Sequence, residues 1–168
     1  MLRLKMLRLK MPQLKMLRLG ITACAVGALA LAEGFTFTIG NPVASQEFQM
    51  KTAAFVFRTN GCAEPATSQI SATAEGLVKG ARQSVVLKVK AAAKPGVYAV
   101  FQSWPAEGDW VVSLRGVCAS ESAGAIVPIG PKGFIRESAK FFPRPATSAE
   151  IEASLKALAQ SGNKGENK

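Results

Sequence analysis

Histidine is absent from this sequence, and cysteine occurs only three times. Without an imidazole, Ser-His-Asp and Cys-His nucleophile systems, His-bearing zinc sites and His-ligated haem are excluded. No C-x-x-C spacing occurs either, which removes the usual signature of a redox or metal-binding thiol pair. Gly130-Pro131-Lys132-Gly133 is a turn and not a phosphate loop, because it lacks the G-x-x-x-x-G-K-[ST] spacing. No cofactor, no metal and no catalytic constellation is expected on these grounds. Acidic residues are missing from everything before Glu33.

That last absence locates the charge. The formal balance of +10 suggests a nucleic-acid partner until its source is found. Six of the 21 basic residues (Arg3, Lys5, Arg8, Lys10, Lys15, Arg18) lie in the first 18 positions, leaving 15 basic and 11 acidic residues, or +4. A margin of +4 is ordinary for solubility, so no nucleic acid is expected among the partners. At 48% hydrophobic and 19% charged, the 168 residues suit one globular domain with a leader and a tail.

The first 20 residues repeat as MLRLK, MLRLK, MPQLK and MLRLG. They read as the basic region of a signal peptide or as an amphipathic membrane-surface element, and Met1, Met6, Met11 and Met16 are each possible starts. The uncharged stretch 20–32 is too short to span about 30 Å of hydrocarbon as a helix. Ala30-Leu31-Ala32 is an A-x-A cleavage site before Glu33, so residues 1–32 are assigned as a signal peptide. A second site, Val43-Ala44-Ser45 before Gln46, extends that leader to 45 if the apolar region runs through 34–39. The competing reading is an uncleaved anchor over 19–40, in which Glu33 is costly. Ile21-Thr22-Ala23-Cys24 resembles a lipobox, but the apolar run continues past it, and Cys24 reads as a small apolar residue of the leader. The expected location is periplasmic or secreted, with membrane contact only through the leader; inner-membrane anchoring is the alternative.

Beyond residue 46 the hydrophobic period is mostly two, with turn residues at regular intervals. Strands are expected at 52–59, 68–78, 84–90, 97–104 and 110–118, with edge strands within 125–129 and 134–142. In 84–90, Val85, Leu87 and Val89 alternate with Val86, Lys88 and Lys90. In 110–118, Trp110, Val112, Leu114 and Cys118 share one face, opposite Ser113 and Arg115. The segment 105–109 has hairpin length, while 60–69 and 119–124 suit crossings between sheets. This spacing predicts an antiparallel sandwich or barrel over 46–143. Thr147-Ser148-Ala149-Glu150 is a capping box, and Ile151, Leu155 and Leu158 then form one apolar stripe, predicting a helix over 147–160. Residues 161–168 (SGNKGENK) read as a disordered tail.

Two cysteines remain after the leader, Cys62 and Cys118, and in an oxidising compartment they are expected to pair as a staple between sheets. Lys79, Arg82, Lys88, Lys90 and Lys94 form the most basic stretch of the mature chain. They are either a patch for an anionic ligand or a solvated strand face that discourages edge pairing. Trp104 and Trp110 flank the 105–109 turn and are either core residues or an aromatic ligand platform. Glu107 and Asp109 lie in that turn, where nothing separates their pKa values, and they read as turn formers and not as an acid–base pair.

The run Pro95-Gly96-Val97-Tyr98, Pro105, then Gly108-Asp109-Trp110-Val111-Val112-Ser113-Leu114 resembles a hairpin of bacterial immunoglobulin-like envelope domains, such as the YtkA-like proteins. The resemblance implies an immunoglobulin-like sandwich and an exported bacterial protein. Copper-handling proteins of that shape use His and Met ligands; here there is no His, and Met50 is the only Met outside the leader, so no copper role carries over. The functional expectation is an exported, non-catalytic binding or accessory module of the cell envelope, whose partner is an envelope protein or an anionic polymer. An anchored interaction subunit and a carboxylate-dependent enzyme are the alternatives.

Overall fold

Period-two alternation needs a second surface to bury its apolar side, and here two antiparallel sheets supply it for each other. The computed structural model describes residues 34–42, 47 and 50–165, all in one compact unit. The signal-peptide, start-site and lipobox readings, and the cleavage motifs at 30–32 and 43–45, lie outside the described residues. The first sheet has the order β1 (Thr36–Gly40), β2 (Phe55–Asn60), β6 (Val97–Val100), β5 (Val89–Ala91). The second has the order β10 (Lys140–Phe142), β8 (Glu121–Gly130), β7 (Asp109–Cys118), β3 (Gln69–Val78), β4 (Ala81–Leu87), with β9 (Gly133–Phe134) also on β8. A single helix, α1 (Ser148–Gly165), follows. The protein is therefore mainly β, with two antiparallel sheets packed as a sandwich and one C-terminal helix.

The core between the sheets joins Phe37, Ile39, Phe55 and Phe57 to Ala72, Ala74, Trp110, Val112, Leu114, Ala125 and Val127. Small residues on β3 make room for large ones opposite; a Cβ at Gly76 would overlap the Trp110 ring. The helix adds a third layer. Its stripe Ile151, Leu155 and Leu158 packs on Val111 and Ile126, on the far side of the second sheet. The capping box forms as expected, with Thr147 N–H donating to Glu150 Oε2 at 2.8 Å and Glu150 N–H to Thr147 Oγ1 at 3.3 Å. Helical backbone continues to Gly165, so residues 161–165 are helical where a disordered tail was expected.

Several expectations are corrected. The domain starts before residue 46: β1 pairs with β2 over Thr36–Gly40 against Asn60–Val56, and Phe37 and Ile39 are buried. An anchor helix running to residue 40 is incompatible with that strand, as is a leader ending at 45 in a protein that keeps this core. Among the described residues no helix is long and apolar enough to cross a membrane. The strand expected at 84–90 is split at Lys88, where the chain leaves the edge of the second sheet for the edge of the first. The hairpin across 105–109 does not form. Val97–Val100 pairs with β2 and β5, while β7 pairs with β3 and β8, so residues 101–108 cross between sheets. Conversely, 119–124 is no crossing, because Cys118 pairs with Glu121 around a tight turn in which Ala119 takes φ 54°. The 125–129 strand is interior and longer than expected. Covered by the sandwich core on one side and α1 on the other, it loses the alternation that marks a one-sided strand.

Candidate functional site

Cys62 leaves the first sheet just after β2, and Cys118 ends β7 in the second. Their sulfurs are bonded at 2.04 Å with Cα atoms 5.9 Å apart, so the expected staple between the sheets is present.

The five expected cations do not form one site. Lys79, at φ 50°, opens the β3–β4 turn, and its ammonium lies 3.7 Å from the Glu107 carboxylate. Arg82 is 3.5 Å from Glu75, which also accepts from the Ser84 hydroxyl at 2.8 Å. Lys88 sits at the crossing between sheets, Lys90 in β5, and Lys94 in the following turn. At about 3.3 Å per residue, Arg82 and Lys90 are up to roughly 26 Å apart along the chain. A strand spreads a charge run out instead of focusing it.

Neither tryptophan offers an aromatic platform. Trp104 is 5% and Trp110 2% exposed, both within the core, and the Trp110 indole donates to the Glu107 carbonyl at 2.8 Å. An aromatic ring needs an open face to stack on a ligand, and at these exposures neither ring presents one, although both border a cavity of about 670 Å³. Asp109 begins β7 opposite Leu77, and Glu107 faces Lys79. Other carboxylates have structural partners: Glu121 accepts the Phe35 N–H at 2.7 Å, and Glu47 the Ala93 N–H at 2.8 Å. Glu150 is pulled down to about 2, first by its two hydrogen bonds from the Arg144 guanidinium and then by the Thr147 N–H. Glu152 is lowered by Lys156, one helical turn away. Among the described residues, no group of three His, Cys, Asp or Glu side chains could hold a metal ion.

A different set of cations does converge. A groove of about 940 Å³ beside β1 and β2 is lined by Arg58, Lys94 and Arg136, together with Thr38, Asn41 and Glu47. Arg58 is the outward residue of β2, and its Nε donates to Asn60 Oδ1 at 3.1 Å. Asn60 in turn donates to Thr38 Oγ1 at 2.8 Å, so a chain of hydrogen bonds fixes the guanidinium to the sheet. Lys94 is positioned by the turn in which Val97 N–H returns to its carbonyl at 3.2 Å and Gly96 takes φ 75°, a conformation that favours glycine. Arg136 follows β9 in a short 3₁₀ turn, its guanidinium 5.9 Å from the Phe134 ring centre. Three cations and one carboxylate therefore line one groove, and the Oε1 of that carboxylate accepts the Ala93 N–H.

Of these, only Lys94 belonged to the expected patch. Arg58 carried a weak signal, as the only charge in its strand. Arg136 carried none, because its placement depends on how residues 131–139 fold against the edge of β8. Searches of protein-family models, curated proteins and solved structures each return no match for this chain.

Proposed function

We propose that the protein is an exported binding or accessory module of the cell envelope that holds an anionic group in the groove of Arg58, Lys94 and Arg136. The convergence of these three side chains on one cavity carries the reading. An anion between two or three partly solvated cations gains a few kcal/mol in all, at about 1 kcal/mol per contact in water and about 4 at an effective dielectric near 20. That suits reversible binding of an anionic polymer or an acidic envelope partner. Export is supported by the basic leader with its A-x-A motif and by the Cys62–Cys118 cross-link, a bond that persists in oxidising compartments. The resemblance to immunoglobulin-like envelope domains points the same way. A binding role is favoured over catalysis by the lack of His in the chain and by the structural hydrogen bonds of Glu47, Glu75, Glu121 and Glu150.

Calorimetric titration of the oxidised protein with a short inorganic polyphosphate tests this. Binding is expected to weaken as ionic strength rises past the point where the screening length is about 8 Å. It should be lost in the triple variant Arg58→Ala, Lys94→Ala, Arg136→Ala, yet unchanged in Lys79→Ala with Arg82→Ala. Equal loss in both variants would mean diffuse charge and no site.

A further inference from the structure

The second sheet is open along one edge. Strand β4 ends its order and pairs on one side only, with β3. Its seven residues exceed those of β1, β5 and β10, the strands at the other three sheet ends, which have five, three and three. Long edges are usually blunted by proline, a bulge or a lysine within the strand. Ala81–Leu87 has no proline and no lysine, and its register against β3 runs unbroken from Ala81 to Leu87. Residues 81–84 are exposed on both faces of the sheet. Val86, 83% exposed, is the most exposed large apolar side chain among the described residues.

The register also says which backbone groups are open. Val78 and Ala81 flank the two-residue turn Lys79-Gly80, whose φ angles of 50° and 80° suit a type I′ hairpin. That turn makes the flanking residues a hydrogen-bonded pair, and antiparallel alternation then commits Gln83, Val85 and Leu87 to β3. The N–H and C=O groups of Arg82, Ser84 and Val86 therefore point away from the sheet.

Charge decides what can pair with them. From Lys79 to Lys90 the chain carries Lys79, Arg82, Lys88 and Lys90 and no acidic residue. Lys79 and Arg82 lie 3.7 and 3.5 Å from Glu107 and Glu75, whereas Lys88 has no carboxylate partner among the described residues. A second copy, paired about a two-fold axis at Ser84, would bring Lys88 beside Lys79 of that copy, and like charges across a ladder destabilise it. Cations strung over roughly 30 Å from Lys79 to Lys88 cannot focus on a compact anion, but a strand spaces its own side chains with the same rise. We propose that the β4 edge accepts an extended, acidic segment of a partner protein as a further antiparallel strand. Main-chain hydrogen bonds to Arg82, Ser84 and Val86 hold it, and its acidic side chains lie beside Lys88 and Arg82. This surface is separate from the cationic groove, and neither requires the other.

The probe is the capped heptapeptide Glu-Thr-Val-Thr-Val-Thr-Glu, followed by two-dimensional NMR of the full, oxidised chain, which reports binding and fold together. Laid antiparallel with its first residue beside Lys88, it sets its valines opposite Val86 and Ser84 and its last glutamate opposite Arg82. Saturable shifts are expected at the Arg82, Ser84 and Val86 amides. N-methylation of both valines, whose N–H groups face β4, should weaken binding at least about tenfold, two hydrogen bonds being lost. N-methylation of the central threonine, whose N–H faces away, should change it less than about twofold. Lysine in place of both glutamates should weaken binding, as should Lys88→Glu in the protein. Ser84→Pro deletes an N–H that β3 does not use, at an edge position where proline is tolerated, and should abolish binding in a chain that still folds. The proposal is overturned if the wild-type chain shows no saturable shift at these amides, or if the two N-methylated peptides bind alike. It is equally overturned if the lysine peptide binds as well as the glutamate one, if binding survives Ser84→Pro in folded protein, or if the free chain pairs with itself through the same amides.

Discussion

Removing residues 1–45 should destroy the fold that removal of 1–32 leaves intact. The difference lies in three side chains: Phe35, Phe37 and Ile39 are 2%, 6% and 4% exposed. Phe35 and Phe37 contact each other edge-to-face at 5.6 Å, and Phe37 meets Phe57 the same way at 5.5 Å. The second sheet is shaped to receive them, since a Cβ at Gly116 would come within 2.6 Å of Phe37 and 2.8 Å of Phe35. Burying each such side chain is worth about 1.5–3 kcal/mol, or roughly 5–9 kcal/mol for the three. A domain of this size is stable by only about 5–15 kcal/mol. Loss of β1 also exposes the backbone of β2 along its five-residue pairing with that strand. The fragment beginning at Glu33 should therefore unfold cooperatively in urea, and the fragment beginning at Gln46 should show little or no folded baseline. If the protein is processed on export, its mature N-terminus should accordingly lie at Glu33 and not at Gln46, which intact-mass measurement reads directly. Equal unfolding midpoints and slopes for the two fragments would refute the reasoning, because β1 would then contribute nothing to the core.

Three further outcomes are expected. Trp110→Ala should cost about 3–5 kcal/mol by chemical denaturation, as a large ring leaves the core, whereas Asp109→Ala should cost less than about 1 kcal/mol. Replacing Cys62 and Cys118 by serine together should lower stability by about 4 kcal/mol, given a separation of 56 residues, and thiol blocking under denaturing, non-reducing conditions should label neither cysteine. Glu150 is held down to about 2 against an ordinary 4.5, so its contribution is complete above pH 4.5 and fades as pH falls toward 2. Glu152, also lowered, acts in the same direction. Thermal unfolding followed by circular dichroism should show a small fall in stability over that window, and Glu150→Gln should flatten the dependence.

The strands most readable in the chain are those whose outer face keeps polar residues, as β7 does at Ser113 and Arg115 even though α1 covers Val111. In 110–118, Trp110, Val112 and Leu114 alternate as a sandwich strand must, and each is buried in the structure. The helix was equally legible, because a capping box and an i, i+4, i+7 stripe are local signals. Strand β1 was hidden for the opposite reason: Phe35, Phe37 and Ile39 adjoin the apolar leader, and hydrophobicity alone does not separate a core strand from the end of an export signal. Strand β8 was underestimated because α1 covers the face that would otherwise have been polar.

Composition, alternation and cysteine count thus determined by themselves that this is a mainly β domain with a capped helix and one disulfide. These depend on neighbours within a turn or two, or on compartment chemistry. Which strands pair was a matter for the tertiary structure alone. Residues 105–109 have hairpin length, yet the chain there passes from one sheet to the other, since β6 is claimed by β2 and β5 while β7 is claimed by β3 and β8. The cationic groove has the same origin. Arg58, Lys94 and Arg136 are 36 and 42 residues apart in the chain, and only the packing of β1 and β2 beside the turns before β6 and after β9 sets their charges around one space.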